Sequence, residues 1–287
     1  MSSSSARAFV WAIFMLAVAL VAAQPALSRT ADKPGAVVYT PPSNELHQPL
    51  YERLKREQWL ERMQAVLQVF RMPREVTLKV EGCGEVDAYF TRRTVAVCYE
   101  YLQVVVRRIE AGQLPAWVDR EEALAGAFVD AMLHEYAHAL IEHLKIPVLG
   151  REEDAADQMA AHLMLMLGGK DAAGLVRGTA HLYLSWISYF QSRPSSVLST
   201  GAPSREARAH PTAAQRLYNI VCLAYGADRA TYQALATAID LPESRAEDCA
   251  EEYDRLAHAY RTLLGPHLIK SREAAAREAL RSFVAQR

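Results

Sequence analysis

His134, Glu135 and His138 stand in the order His-Glu-x-x-His, and Glu152, Glu153 and Asp157 follow a short way downstream. On a helix that advances about 100° per residue, His138 lies about 40° from His134, so both rings leave one face a turn apart. The surrounding positions are apolar: Ala131, Leu133, Ala137, Leu140, Ile141 and Leu144. A helix apolar nearly all round is buried, and two buried imidazoles beside a carboxylate need partners that one divalent cation can supply together. The chemistry this predicts is metal-assisted hydrolysis, with the two ring nitrogens on Zn²⁺ and Glu135 as general base toward water.

A third ligand has to come from another element. Glu142 lies one turn beyond His138, and three donors strung along one side of a helix cannot form three corners of a tetrahedron. His143 leaves the opposite face and reads as a solvent-facing helix end. Leu144 occupies the position where HExxHxxGxxH would carry its last histidine, which excludes that arrangement. KIPVLG, with Pro147 and Gly150, reverses the chain into a second helix. There Ala156, Met159, Ala160, Leu163, Met164 and Leu167 define a buried arc that leaves Asp154 outside. Glu152 and Glu153 flank this arc equally. Asp157, one turn beyond Glu153 on the same edge, favours Glu153 as the ligand and itself as acceptor for the outer nitrogen of a ligand histidine. Glu152 is the alternative ligand.

The elements that must position these groups follow from periodicity. Asp119 and Glu122 form a capping-box pair at the start of the HExxH helix. Upstream, one helical pattern runs from Asn44 to Phe70. The alternating stretch VTLKVEGCGEVDAYFTRRTVAVCYEY, broken by Gly82, Gly84 and a turn at Thr91–Thr94, predicts a small antiparallel sheet. From Tyr99 the pattern is helical at about 100–111, 120–146, 151–168, 171–190, 211–225, 228–239, 243–264 and 270–286. Residues 192–211 are the longest loop candidate. The fold class is α+β, mainly α, with the sheet packed against the HExxH helix and a helical C-terminal part.

Composition bounds the function. The chain has 287 residues, is 51% hydrophobic and carries a formal net charge of −1, so no global field draws it to nucleic acid. Residues 1–23 read as a signal peptide: Arg7 precedes the apolar run Ala8–Ala23, which ends with Val21 and Ala23 spaced for cleavage. Residues 24–43 read as a linker, and 44–287 as one domain, divided into 44–98, 99–190 and 211–287. Export to the periplasm or beyond follows, with an N-terminal anchor as the alternative and no stable membrane insertion after cleavage. In that compartment the four cysteines form disulfides, and their positions favour the local pairs Cys83 with Cys98 and Cys222 with Cys249.

HEYAH followed by the helical EDAAD resembles the HExxH plus ExxxD pattern of gluzincins, including thermolysin and the CAAX-prenyl-protease-like peptidases. CG-x-VDAYF, CYE, HP-x3-QRLYN and Cys-x2-YG extend the likeness over roughly residues 45–260 to an uncharacterised bacterial family of metallopeptidases. The resemblance implies a zincin-like fold and a peptide or protein substrate. It further implies that a strand carrying Asp87, Ala88 and Tyr89 pairs with the substrate backbone, Asp87 standing where an Asn is usual; a hairpin core would explain VDAYF as well. It also implies a hydrogen bond to the oxyanion from His210, which precedes Pro211 at a helix start, or from Tyr218. The competing expectations are a catalytically idle zincin scaffold serving envelope assembly or chaperoning, and a helical module in which the motif is coincidental.

Overall fold

The three- and four-residue spacing of apolar positions after Tyr99 produces helices among the described residues there. The computed structural model describes residues 35–191 and 210–285, and within them the protein is mainly helical with one four-stranded sheet. The signal reading and most of the 192–211 loop lie outside the described residues.

The chain enters through β1 (Val37–Tyr39), a single 3-10 turn, α1 (Gln48–Arg56) and α2 (Trp59–Leu67). Two expectations change here. The stretch read as a linker ends in a strand, because Val37–Tyr39 pair with Leu78–Val80. The helix expected over 44–70 is broken at Gln58, which takes φ of 54°. The break turns Trp59 into the core, where its indole N–H donates to Glu57 at 2.9 Å and its ring meets Phe128 edge-on at 5.0 Å.

β2 (Thr77–Glu81), β3 (Ala88–Thr91) and β4 (Thr94–Cys98) complete a sheet of order β1-β2-β4-β3. Only β3 and β4 run antiparallel; β1–β2 and β2–β4 are parallel, so the sheet is mixed rather than antiparallel. Sequence neighbours β2 and β3 do not pair because the loop between them crosses to the far side of β4. Glu100 accepts the backbone N–H groups of Cys83 and Gly84 in that loop, at 3.1 and 2.9 Å, and a Cys83–Cys98 disulfide ties it to the end of β4. β4, central in the sheet, is buried from Val95 through Cys98.

The helices are α3 (Tyr99–Glu110), α4 (Arg120–Leu144), α5 (Glu152–Gly168), α6 (Ala173–Gln191), α7 (Ala213–Ala227), α8 (Arg229–Ala238), α9 (Glu243–Leu263) and α10 (Glu273–Arg281). α4 carries the HExxH residues through the middle of the core, capped by Asp119 and Glu122 in the reciprocal arrangement read from the sequence. A second disulfide, Cys222–Cys249, joins α7 to α9.

α4 and α6 approach closely where two glycines face each other. A Cβ on Gly178 would stand 1.8 Å from the carbonyl oxygen of Glu122, and one on Gly126 would meet the Gly178 backbone at 2.5 Å. Gly178→Ala therefore has to push two buried helices apart. It is expected to cost about 1–3 kcal/mol or more of unfolding free energy, as overpacked cores do, measured as a lower urea midpoint.

Candidate metal centre

α4 sets two imidazoles on one face, and α5 answers them with carboxylates. His134 is 3% and Glu135 7% exposed, so neither can rely on bulk water for its hydrogen bonds. Nε2 of His134 lies 3.1 Å from Glu153 Oε2 and 3.3 Å from Nε2 of His138, and the His138 nitrogen lies 3.5 Å from the same Glu153 oxygen. Donors at about 2.1 Å from a tetrahedral metal are separated by roughly 3.4 Å. The three atoms have the spacing of one face of such a tetrahedron, so the donor set fits zinc. Each ring is held from behind: His134 Nδ1–H donates to Asp157 Oδ1 at 2.7 Å, and His138 Nδ1–H to Glu152 Oε1 at 2.7 Å. Glu153 thus faces the inner nitrogens, and Glu152, the alternative ligand by periodicity, touches an outer one.

Protonation follows the same contacts. Burial alone would lower the His134 imidazole, but its bonds to Asp157 and Glu153 lift it to about 9. His138 is likewise raised, burial being outweighed by Glu153 and Glu152. Burial would raise the Glu153 carboxyl, yet hydrogen bonds from His134, His138 and His210 hold it far below the usual range. Glu135 is pushed up by burial, against the pull of the two histidines. Its Oε1 stands 3.9 Å from Nε2 of His134.

His210 reaches the cluster from the residues preceding α7. Its Nε2 lies 2.8 Å from Glu153 Oε2, and its ring lies over His134 with centroids 5.8 Å apart. His134, Glu153 and His210 thus form a second possible donor triad, overlapping the first. The 2.8 Å separation is a hydrogen-bond length, shorter than a tetrahedral edge, so His210 stands here as a donor to Glu153. Tyr218, on α7 about 200° round from Arg216, packs half-buried against the core.

The remaining expected residues sort by register. Asp87, just before β3, accepts from Ala88 N–H at 3.0 Å, and burial followed by repulsion from Glu85 raises its carboxyl. Cys98 N–H donates to the Asp87 carbonyl, and Tyr89 pairs with Ala96. In an antiparallel pair alternate residues bond across, so the backbone groups turned to the sheet's outer edge are those of Ala88 and Phe90. The edge set is therefore Ala88 and Phe90, not Asp87 and Tyr89. The Tyr89 hydroxyl instead donates to Glu81 at 2.5 Å.

His143 also departs from expectation. Rather than facing solvent, it donates through Nε2 to the Arg92 carbonyl at 2.8 Å and meets Phe90 edge-on at 5.7 Å, pinning α4 to the β3–β4 turn. Asp154 pairs with Arg151 at 2.8 Å, and Glu142 is exposed, both as their positions outside the buried arcs imply.

Three buried groups beside the cluster escaped the sequence reading. Arg216 donates to Asp157 Oδ1 at 2.5 Å and lies over the Tyr183 ring at 4.7 Å, while the Tyr183 hydroxyl donates to Asp130 at 2.8 Å. Asp130 had a signal: it precedes His134 by one turn, so Asp130, His134 and His138 form a polar stripe on an apolar helix. Arg216 had none, since an arginine on an amphipathic helix reads as exposed.

Comparison with known proteins adds one finding. Searches of curated proteins and of solved structures return no match. The model of a protein family described as "putative metallopeptidase" matches residues 39–264. That span runs from β1 to the end of α9 and contains the histidines, the carboxylates and the edge strand, and the chain belongs to this metallopeptidase family.

Proposed function

We propose that the chain is an exported zinc peptidase in which His134, His138 and Glu153 hold the metal and Glu135 is the general base, the ligand order of a gluzincin. The triangle of Nε2, Nε2 and Oε2 atoms beside the buried Glu135 carries this reading. Zinc held by His134, His138 and Glu153 would supply Lewis acidity toward a peptide carbonyl and would lower the pKa of water to about 7. Glu135 takes the proton of the attacking water at its carboxylate and passes it to the leaving amine. Asp157 and Glu152 orient the two ligand rings through their outer nitrogens. His210, whose Nε2 donates to Glu153 in the metal-free protein, would turn that donor to the developing oxyanion.

The substrate class is an extended peptide. β3 is an edge strand, and the backbone of Ala88 and Phe90 offers it the pairing of β-strand addition. Two disulfides support an oxidising compartment, periplasmic or extracellular, and no helix among the described residues is long and apolar enough to cross a membrane. The net charge of −1 supports no role for nucleic acid.

Purified protein should contain about one zinc per chain and cleave a peptide library, lose cleavage on chelation and regain it with added Zn²⁺. Cleavage indifferent to chelator would overturn the proposal.

Metal uptake should also depend on pH. In the metal-free protein His134 titrates near 9, above its ordinary 6.5, so its protonated form contributes stability that is complete below about 6.5 and lost as pH rises through 9. Zinc needs the neutral ring. Affinity is therefore expected to climb with pH and to level off above about 9, with proton release on binding measurable in a weakly buffered titration below it.

A further inference from the structure

Burying a guanidinium carries a large desolvation cost, tolerated only where carboxylates and hydrogen bonds compensate it. Arg216 is such a group. Its side chain is 15% exposed, its Nη2 lies 2.5 Å from Asp157 Oδ1 and 3.4 Å from His134 Nδ1, and its planar end rests on the face of Tyr183 at 4.7 Å. Tyr183 is itself fixed by the bond from its hydroxyl to Asp130, which is 3% exposed. Asp157 Oδ1 therefore receives two donors, the Nδ1–H of His134 and the guanidinium of Arg216. Four helices meet in this chain of contacts: α4 through Asp130 and His134, α5 through Asp157, α6 through Tyr183 and α7 through Arg216.

We propose that Arg216 is a positioning residue of the metal centre: braced on Tyr183, it locks Asp157 Oδ1 against His134 Nδ1 and so aims the His134 Nε2 at the metal position. A carboxylate held from one side only can rotate about its side-chain bonds, and the imidazole that follows it would lose its fixed direction. The guanidinium removes that freedom. Lys could donate to the same oxygen but lacks the planar guanidinium that Arg216 sets over Tyr183, so the position calls for arginine. This role rests on the zinc-peptidase reading for its purpose, though not for its geometry.

The test compares wild type, R216M and R216K, in full-length protein, by three measurements: Zn²⁺ affinity by competition with a chromophoric chelator, the visible spectrum of the Co²⁺-loaded protein, and the exchange-protected Nδ1–H signal of His134 by NMR without metal. R216M is expected to weaken Zn²⁺ binding by about 10–100-fold, the usual effect of losing an outer partner, and to alter the cobalt spectrum and lose the protected signal. R216K should recover part of each. Folded R216M with wild-type affinity, spectrum and signal would overturn the proposal. Should R216M fail to fold, Y183L removes the platform and keeps the charge; unchanged affinity and signal there would overturn it equally. If wild type takes up no Zn²⁺ or Co²⁺ while R216M still loses the His134 signal, the zinc reading fails and the positioning role stands.

Discussion

Glu135→Gln is expected to retain zinc at the wild-type stoichiometry and to lower kcat on peptide substrates by about 10³-fold, within the 10²–10⁴ range of general acid–base catalysis. Glutamine has the shape of glutamate and cannot accept and return a proton. That isolates proton transfer from packing at a position only 7% exposed. The fold should be unaffected, since removing a buried carboxylate whose acid form is already favoured by burial relieves a cost. The measurement is a peptide digest of wild type and variant, with bound zinc quantified and the thermal midpoint recorded in the same samples. Equal cleavage by both would exclude Glu135 as the base. No cleavage by a zinc-loaded wild type would instead favour the idle scaffold serving envelope assembly.

Glu153→Ala is expected to abolish tight zinc binding, a loss beyond the roughly 100-fold that follows removal of an outer partner. Glu152→Ala should lose no more than about 100-fold, because only the outer nitrogen of His138 loses its acceptor. The contrast is sharp because the two residues are adjacent and differ in which face of the imidazole pair they meet. Glu153 Oε2 is the common neighbour of His134, His138 and His210, at 3.1, 3.5 and 2.8 Å. Its loss leaves three Nε2 atoms converging without their shared acceptor, so metal-free Glu153→Ala should also melt lower. Zinc titrations of both variants check the assignment; retention by Glu153→Ala and loss by Glu152→Ala would exchange the two roles.

Local rules made much of this legible in the residues. Helical spacing brought His134 and His138 to one face, Asp119 and Glu122 marked the start of their helix, and the cysteines paired with their sequence neighbours. Each of these is decided within a few turns of chain, where 100° per residue and short-loop closure dominate. The break at Gln58 was not legible, because the apolar stripe continues through it and only the packing of Trp59 against Phe128 and Phe283 favours a kink.

Sheet order was equally out of reach. Alternation defines strands but does not state their partners, and β2 bonds to β4 across the intervening β3 because a disulfide and Glu100 hold the crossing loop. By itself the sequence determined the donor types, their helical faces and the candidates Glu152 and Glu153. The tertiary structure alone decided which carboxylate meets which nitrogen, that Ala88 and Phe90 rather than Asp87 and Tyr89 line the sheet edge, and that Arg216 and Tyr183 stand behind Asp157. The physical reason is that these contacts join α4, α5, α6 and α7, and the angles at which helices cross depend on close approaches such as Gly126 on Gly178, which periodicity along one chain does not encode.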